Sequence, residues 1–179
     1  MKRTLAAPAI MLCLFAIPFA TLAQAPAKQT LLNQPDVTAW HVYGPGQTST
    51  FVHDKAVQGG GALDIKIAAT KNVWDIGASV PVTTAFHKGD HIVVVVTARA
   101  GGPDATTELD IPTVLQGADS PYPSFFPGTL KLTSKWRLVE FDGVATADVD
   151  AGKAQVALSL GGDAKEIELG PVFVLDQGQ

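Results

Sequence analysis

Asn72, Trp74 and Asp75 fall within four residues of one another, in the stretch KNVWDIGASVPV (71–82). An indole is a flat apolar face, and amides and carboxylates are planar groups that make paired hydrogen bonds in fixed directions. Together they suit a pyranose ring, whose C–H patches stack on an aromatic face while its hydroxyls meet planar polar groups. Arg99, Gln116 and Tyr122 extend the same chemistry. Each has a plainer reading. Trp74 shares its alternation with Ile76, Ala78, Val80 and Val82, so a strand starting at residue 74 makes it a core plug, whereas a strand starting later leaves it free as a platform. Arg99 has many acids with which to pair.

Other chemistries find less support. His41, His53, His87 and His91 show no metal-ligand spacing, and there is no G-x-S-x-G elbow or glycine-rich phosphate loop. Hydrolysis of a glycosidic bond needs two carboxylates, about 5–5.5 Å apart in a retaining enzyme. Among Glu108, Glu140, Glu166 and Glu168, the last two share a face of one strand at about 6–7 Å by strand rise. Their simpler reading is the charged face of an edge strand kept from aggregating.

The elements that must position these residues read as strands. In ALDIKIA (62–68), Leu63, Ile65 and Ile67 point one way and Asp64 and Lys66 the other. The remaining candidates are VTAWHVY (37–43), STFVH (49–53), DIGASVPV (75–82), HIVVVVTARA (91–100), ELDIPTVLQ (108–116), TLKLT (129–133), WRLVEFDGVA (136–145), AQVALSLG (154–161) and KEIELGPVFVL (165–175). About ten antiparallel strands at roughly 8–12-residue spacing predict an all-β sandwich or jelly roll. HIVVVVTARA is apolar on both faces, so its outer side needs a covering loop or forms a groove floor. QGADSPYPSFFPG (116–128) is long for a loop, and its Tyr122, Phe125 and Phe126 either cap the sandwich or serve a ligand. Trp40 and Trp136 read as core.

The chain opens with Lys2 and Arg3, an apolar run and Ala23-Gln24-Ala25, the pattern of a cleaved signal peptide over residues 1–25. Residues 26–36 read as a tail and 37–179 as a single domain. The one cysteine, Cys13, lies in the leader, so the secreted or periplasmic chain relies on packing rather than disulfides. Without Lys2 and Arg3 the balance is 11 basic against 17 acidic side chains, or −6. That disfavours nucleic acid and anionic membranes as partners. No further apolar run is long enough to span a bilayer as a helix.

Lys88-Gly89-Asp90 leading into HIVVVVTARA, LTSKW (132–136) and the ending IELGPVFVLD (167–176) resemble the galactose-binding-like jelly roll of carbohydrate-binding modules. The resemblance is to the families that bind cellulose or xylan and often accompany glycoside hydrolases. It also extends to secreted bacterial domains with a WD-x-G strand and an LGPV-x-VLD ending. It implies a non-catalytic, monomeric module for a polysaccharide, a β-glycan such as xylan or glucan, with a separately encoded glycoside hydrolase as a candidate companion. Asn72, Trp74, Asp75, Arg99, Gln116 and Tyr122 are the expected binding residues. The family's structural calcium is not expected, because Gly170-Pro171 stands where its acidic ligands belong and Asp176 alone falls far short of six to eight oxygens. The alternatives are an envelope protein-interaction sandwich and a small jelly-roll hydrolase.

Overall fold

The computed structural model of the chain describes residues 29–102 and 108–179. The leader assigned to residues 1–25 lies outside them. Among the described residues, eleven antiparallel strands make two sheets and there is no α-helix. One sheet contains β3 (Gln47–His53), β4 (Gly61–Ile67), β11 (Lys165–Asp176), β6 (His91–Ala100) and β9 (Arg137–Val144), in that order, with β1 (Thr30–Leu31) beside the end of β11. The other runs β2 (His41–Tyr43), β5 (Gly77–Val82), β10 (Ala154–Ser159), β7 (Leu109–Gly117) and β8 (Ser124–Leu132). The sandwich expected from alternation and turn spacing is the observed architecture.

Period-two alternation fills the space between the sheets. Ile92, Val94, Val96 and Ala98 of β6 meet Val80 and Val82 of β5, Val156 and Leu158 of β10, and Ile111 and Leu115 of β7 in one core cluster. The outer side of β6 is buried as well, through Val93 and Thr97. Val57, from the loop before β4, helps to cover it, since a side chain at Gly170 would meet both Val57 and Thr97. The β8/β9 side is closed by two aromatic rings laid over glycines. A Cβ at Gly128 would collide with Phe141, and one at Gly143 with Phe126. The two rings meet edge-on, with centroids 5.9 Å apart.

Several local readings need correction. Residues 37–39 form a 3₁₀ turn, because the Asp36 carboxylate accepts the Thr38 N–H and shortens the first sheet strand to His41–Tyr43. The segment read as a leading tail is pinned: Asn33 donates to the Val172 carbonyl at 2.9 Å and accepts from the Val174 N–H at 2.8 Å. Most of the segment after Pro123 is strand β8, so Phe125 and Phe126 pack inward. β11 is central, paired with β4 and β6, so Glu166 and Glu168 are not on an edge. Trp136 stands outside the core and Leu138 is exposed, because β9 turns Val139 and Phe141 inward instead. Trp40 is buried as expected, though outside any strand, and its Nε1–H donates to the Gly170 carbonyl at 2.8 Å.

Gly170-Pro171 interrupts the β11–β6 register between Leu169 and Val172. The Gly170 carbonyl accepts from Trp40, and Asp176 accepts from the Gly178 N–H. No group of three or more His, Cys, Asp or Glu side chains among the described residues is arranged to hold a metal.

Candidate functional site

The outer face of the five-stranded sheet carries a groove of about 380 Å³, lined by His41, Tyr43, Ser79, Gln116, Ala118, Tyr122 and Gln155. Its volume lies at the small end of the range for ligand clefts, which begins near about 300 Å³. The register explains the shape. Ser79 pairs with His41 on one side and Ala157 on the other, and Gln155 pairs with Gln116. Ser79 and Ala157 are buried although they face away from the core. Small side chains at the centre lower the floor, while larger ones at β2 and β7 form the walls.

Tyr43 sits opposite Gly77, and a Cβ on that glycine would collide with the phenol ring. The ring therefore lies across the neighbouring strand, stacked on His41 at 5.9 Å between centroids. Burial pushes the Tyr43 phenol above its ordinary pKa, and Tyr122 adds to the shift. Both tyrosines line the groove. Tyr122 follows the turn after β7, where its N–H donates to the Asp119 carbonyl at 2.8 Å. Its backbone is left-handed, with φ 54°, the one non-glycine case among the described residues. That conformation is unfavourable for a residue with a Cβ and recurs at functional sites. Its ring stays half exposed.

Of the six residues anticipated from sequence, Gln116 and Tyr122 line this groove. Trp74 lies outside its lining and is not a core plug: it is 69% exposed, because the strand begins only at Gly77. Asn72 and Asp75 direct their polar groups at each other. The Asn72 N–H donates to Asp75 Oδ2 at 2.9 Å and the Asn72 amide donates to Asp75 Oδ1 at 3.3 Å.

Arg99 stands apart from the groove. It lies on the outer face of the other sheet, where its guanidinium grips Glu168 through Nε at 2.9 Å and Nη2 at 2.8 Å. The physical reason is register: Arg99 stands directly opposite Glu168. The guanidinium also reaches Asp54 at 3.5 Å and lies 4.7 Å from the centroid of the Trp136 ring. Trp136 Nε1–H donates to Asp54 at 2.8 Å. A shallower cleft of about 260 Å³ gathers Asp54, Asp64, Arg99, Glu166 and Glu168. Asp64 stands directly opposite Glu168, and burial, reinforced by the charge of Glu166, raises its pKa. The Asp54 carboxylate is lowered, chiefly by the Ala56 backbone N–H and then by Trp136.

His41, Tyr43, Ser79 and Gln155 were not singled out from sequence. Their signal lies in alternation: GASVPV and AQVALS put Ser79, Gln155 and Ala157 on the wet face of strands whose other face is wholly apolar. An aromatic opposite a glycine marks a ring that lies flat across the sheet.

No protein-family model matches the chain, and no curated protein matches it. Solved structures do share its fold. The second N-terminal cellulose-binding domain of Cellulomonas fimi β-1,4-glucanase C superposes with a TM-score of 0.62 at 22% identity, covering 89% of this chain and 100% of that one. A CBM4 structure gives 0.60 at 21% identity, covering 78% and 95%. The CBM22-1 xylan-binding domain of Paenibacillus barcinonensis Xyn10C gives 0.57 at 13%, covering 86% and 95%. This chain has the jelly-roll fold of carbohydrate-binding modules.

Proposed function

We propose that the protein is a secreted or periplasmic, non-catalytic module that binds a β-glycan such as xylan or glucan in the groove of its five-stranded sheet. The observation that carries this reading is the pairing of Tyr43 and Tyr122 around a floor of small residues and neutral planar amides. Sugar rings stack on the phenols, while Gln116 and Gln155 bond hydroxyls through groups that both donate and accept. Ser79 and His41 supply further polar contacts at the floor. The cellulose- and xylan-binding domains that share the fold support the choice of ligand class.

Among the described residues no carboxylate lines this groove, whereas bond cleavage by the usual route needs two. The acidic residues that attracted attention in the sequence gather on the opposite sheet. In this reading the protein acts as a monomer, alongside a separately encoded glycoside hydrolase.

The test is affinity electrophoresis through gels containing xylan, mixed-linkage glucan or soluble cellulose. Retardation of the wild type on at least one of them, lost in Tyr43→Ala and Tyr122→Ala variants that melt normally, supports the reading. Unretarded migration on all three argues instead for a protein-interaction role in the envelope.

A further inference from the structure

Trp74 is the most exposed tryptophan, tyrosine or phenylalanine among the described residues, yet the loop beneath it is held by several hydrogen bonds. The Asp75 N–H donates to the Asn72 carbonyl at 3.2 Å while the Asp75 carboxylate accepts from Asn72. The Gly161 N–H donates to the Val73 carbonyl at 2.8 Å, and the Thr70 N–H donates to the Gly162 carbonyl at 2.7 Å. Thr70 Oγ1 donates to the Asn72 carbonyl at 3.0 Å and accepts from the Gly162 N–H at 2.8 Å. A Cβ at Gly161 would strike the Asn72 carbonyl, so glycine is required for the two turns to meet. From the other side the backbone of Asp75 presses against Gly44, in the turn directly after Tyr43.

An indole held out in water on so fixed a support gains nothing for folding, because a buried ring would contribute more. Rigid aromatic side chains on fixed supports are what binding surfaces use, since little conformational freedom is lost on contact. Trp74 precedes Gly77, the residue under the Tyr43 ring, by three positions, so their Cα atoms lie within about 10 Å even if the chain is fully extended. Trp74 is therefore close along the chain to the strand beneath the Tyr43 ring, outside the lining of the groove.

We propose that Trp74 is a separate stacking platform for the same glycan beyond the Tyr43 end of the groove, engaged only by chains long enough to leave it. The inference rests on the groove being the glycan site. Asn72 and Asp75 then act as positioning residues that hold the platform, and the ligand at Trp74 is the uncharged face of a sugar ring. Two linked contacts make affinity depend on ligand length, because the second contact forms within an already bound complex.

The experiment is calorimetric titration of the wild type and Trp74→Ala with xylo- and cello-oligosaccharides of increasing length, alongside tryptophan fluorescence. Trp40 is buried and Trp136 half-buried, whereas Trp74 is 69% exposed, so Trp74 is the tryptophan most accessible to a soluble quencher such as iodide. The expected result is that short oligomers bind both proteins equally. Longer oligomers bind the wild type about tenfold more tightly than the variant, a step of about 1.4 kcal/mol. They also shield the wild-type fluorescence from iodide, and Trp74→Tyr restores much of the gain. Equal loss at every length would place Trp74 in the groove itself and overturn the proposal, as would no loss at any length. If the wild type binds no oligomer, the groove reading fails with it. If short oligomers bind but length brings no gain, the groove stands and only the platform falls.

Discussion

The two outer faces of the sandwich use polar side chains in opposite ways. On the five-stranded sheet, Gln116, Gln155, Ser79 and His41 are neutral and face a groove flanked by two phenols. On the six-stranded sheet, Arg99 closes on Glu168 while Trp136 and Asp54 close on Arg99. The first face leaves its hydrogen-bonding capacity open. The second satisfies most of its own. The difference teaches that a ring of charged and aromatic residues is weaker support for a ligand site than a set of neutral groups left open above a lowered floor. Buried or half-buried charges must be paired to be tolerated at all, and pairing removes them from ligand chemistry.

The largest expected effect is on binding. Tyr43→Ala and Tyr122→Ala each lower glycan affinity by at least about tenfold, measured by titration calorimetry, while unfolding midpoints stay near that of the wild type. If Arg99→Ala lowered affinity as much as either, the division between the faces would break.

Arg99→Ala acts on stability instead. It leaves Glu168, whose side chain is 13% exposed, without its counter-charge, and it uncovers Trp136. The expected loss is about 2 kcal/mol, read as a lower midpoint in denaturant unfolding, with glycan affinity unchanged.

Tyr122→Gly sharpens the contrast between folding and binding. Glycine adopts the left-handed backbone at this position without the cost that a Cβ imposes. The variant is expected to match or exceed the wild type in stability, by up to about 1 kcal/mol, while losing the affinity that Tyr122→Ala loses. A variant that binds poorly yet unfolds later than the wild type would mark the tyrosine as kept for its ligand.

The smallest effect concerns Asp64. Its folded pKa lies above its unfolded value, through burial and the charge of Glu166. The folded protein therefore holds a proton that the unfolded chain has released, and stability falls as pH rises from about 4, the ordinary aspartate value, through the raised one. Asp64→Asn removes this penalty. It is expected to stabilise the protein slightly at neutral pH, by less than about 1 kcal/mol because the carboxylate stays partly solvated. The gain should vanish below the ordinary aspartate pKa in thermal melts followed across pH.

Much of the fold was legible because alternation reports which face of a strand is buried. ALDIKIA and HIVVVVTARA lie where their patterns place them. Alternation does not report which strands are neighbours, and this is why Glu166 and Glu168 looked like an edge although β11 is central. Nor does it report where a strand begins. The Asn72–Asp75 turn uses up the residues before Gly77, so Trp74 has inward parity without being in the strand. The candidate site was half legible. Gln116 and Tyr122 bordered a conspicuous proline-rich segment, whereas Tyr43 was hidden in a three-residue strand and Ser79 and Gln155 looked like ordinary wet-face residues. Arg99 has similar chemistry but lies on the other sheet from the groove, a distinction that only pairing order makes.

The most direct test of the division between the two faces is amide NMR of the folded domain titrated with xylo- and cello-oligosaccharides. The account predicts shift changes concentrated at Tyr43, Ser79, Gln116, Tyr122 and Gln155, with Asp64, Arg99 and Glu168 unmoved. Changes centred on Asp64, Arg99 and Glu168, with the five-stranded face silent, would contradict it.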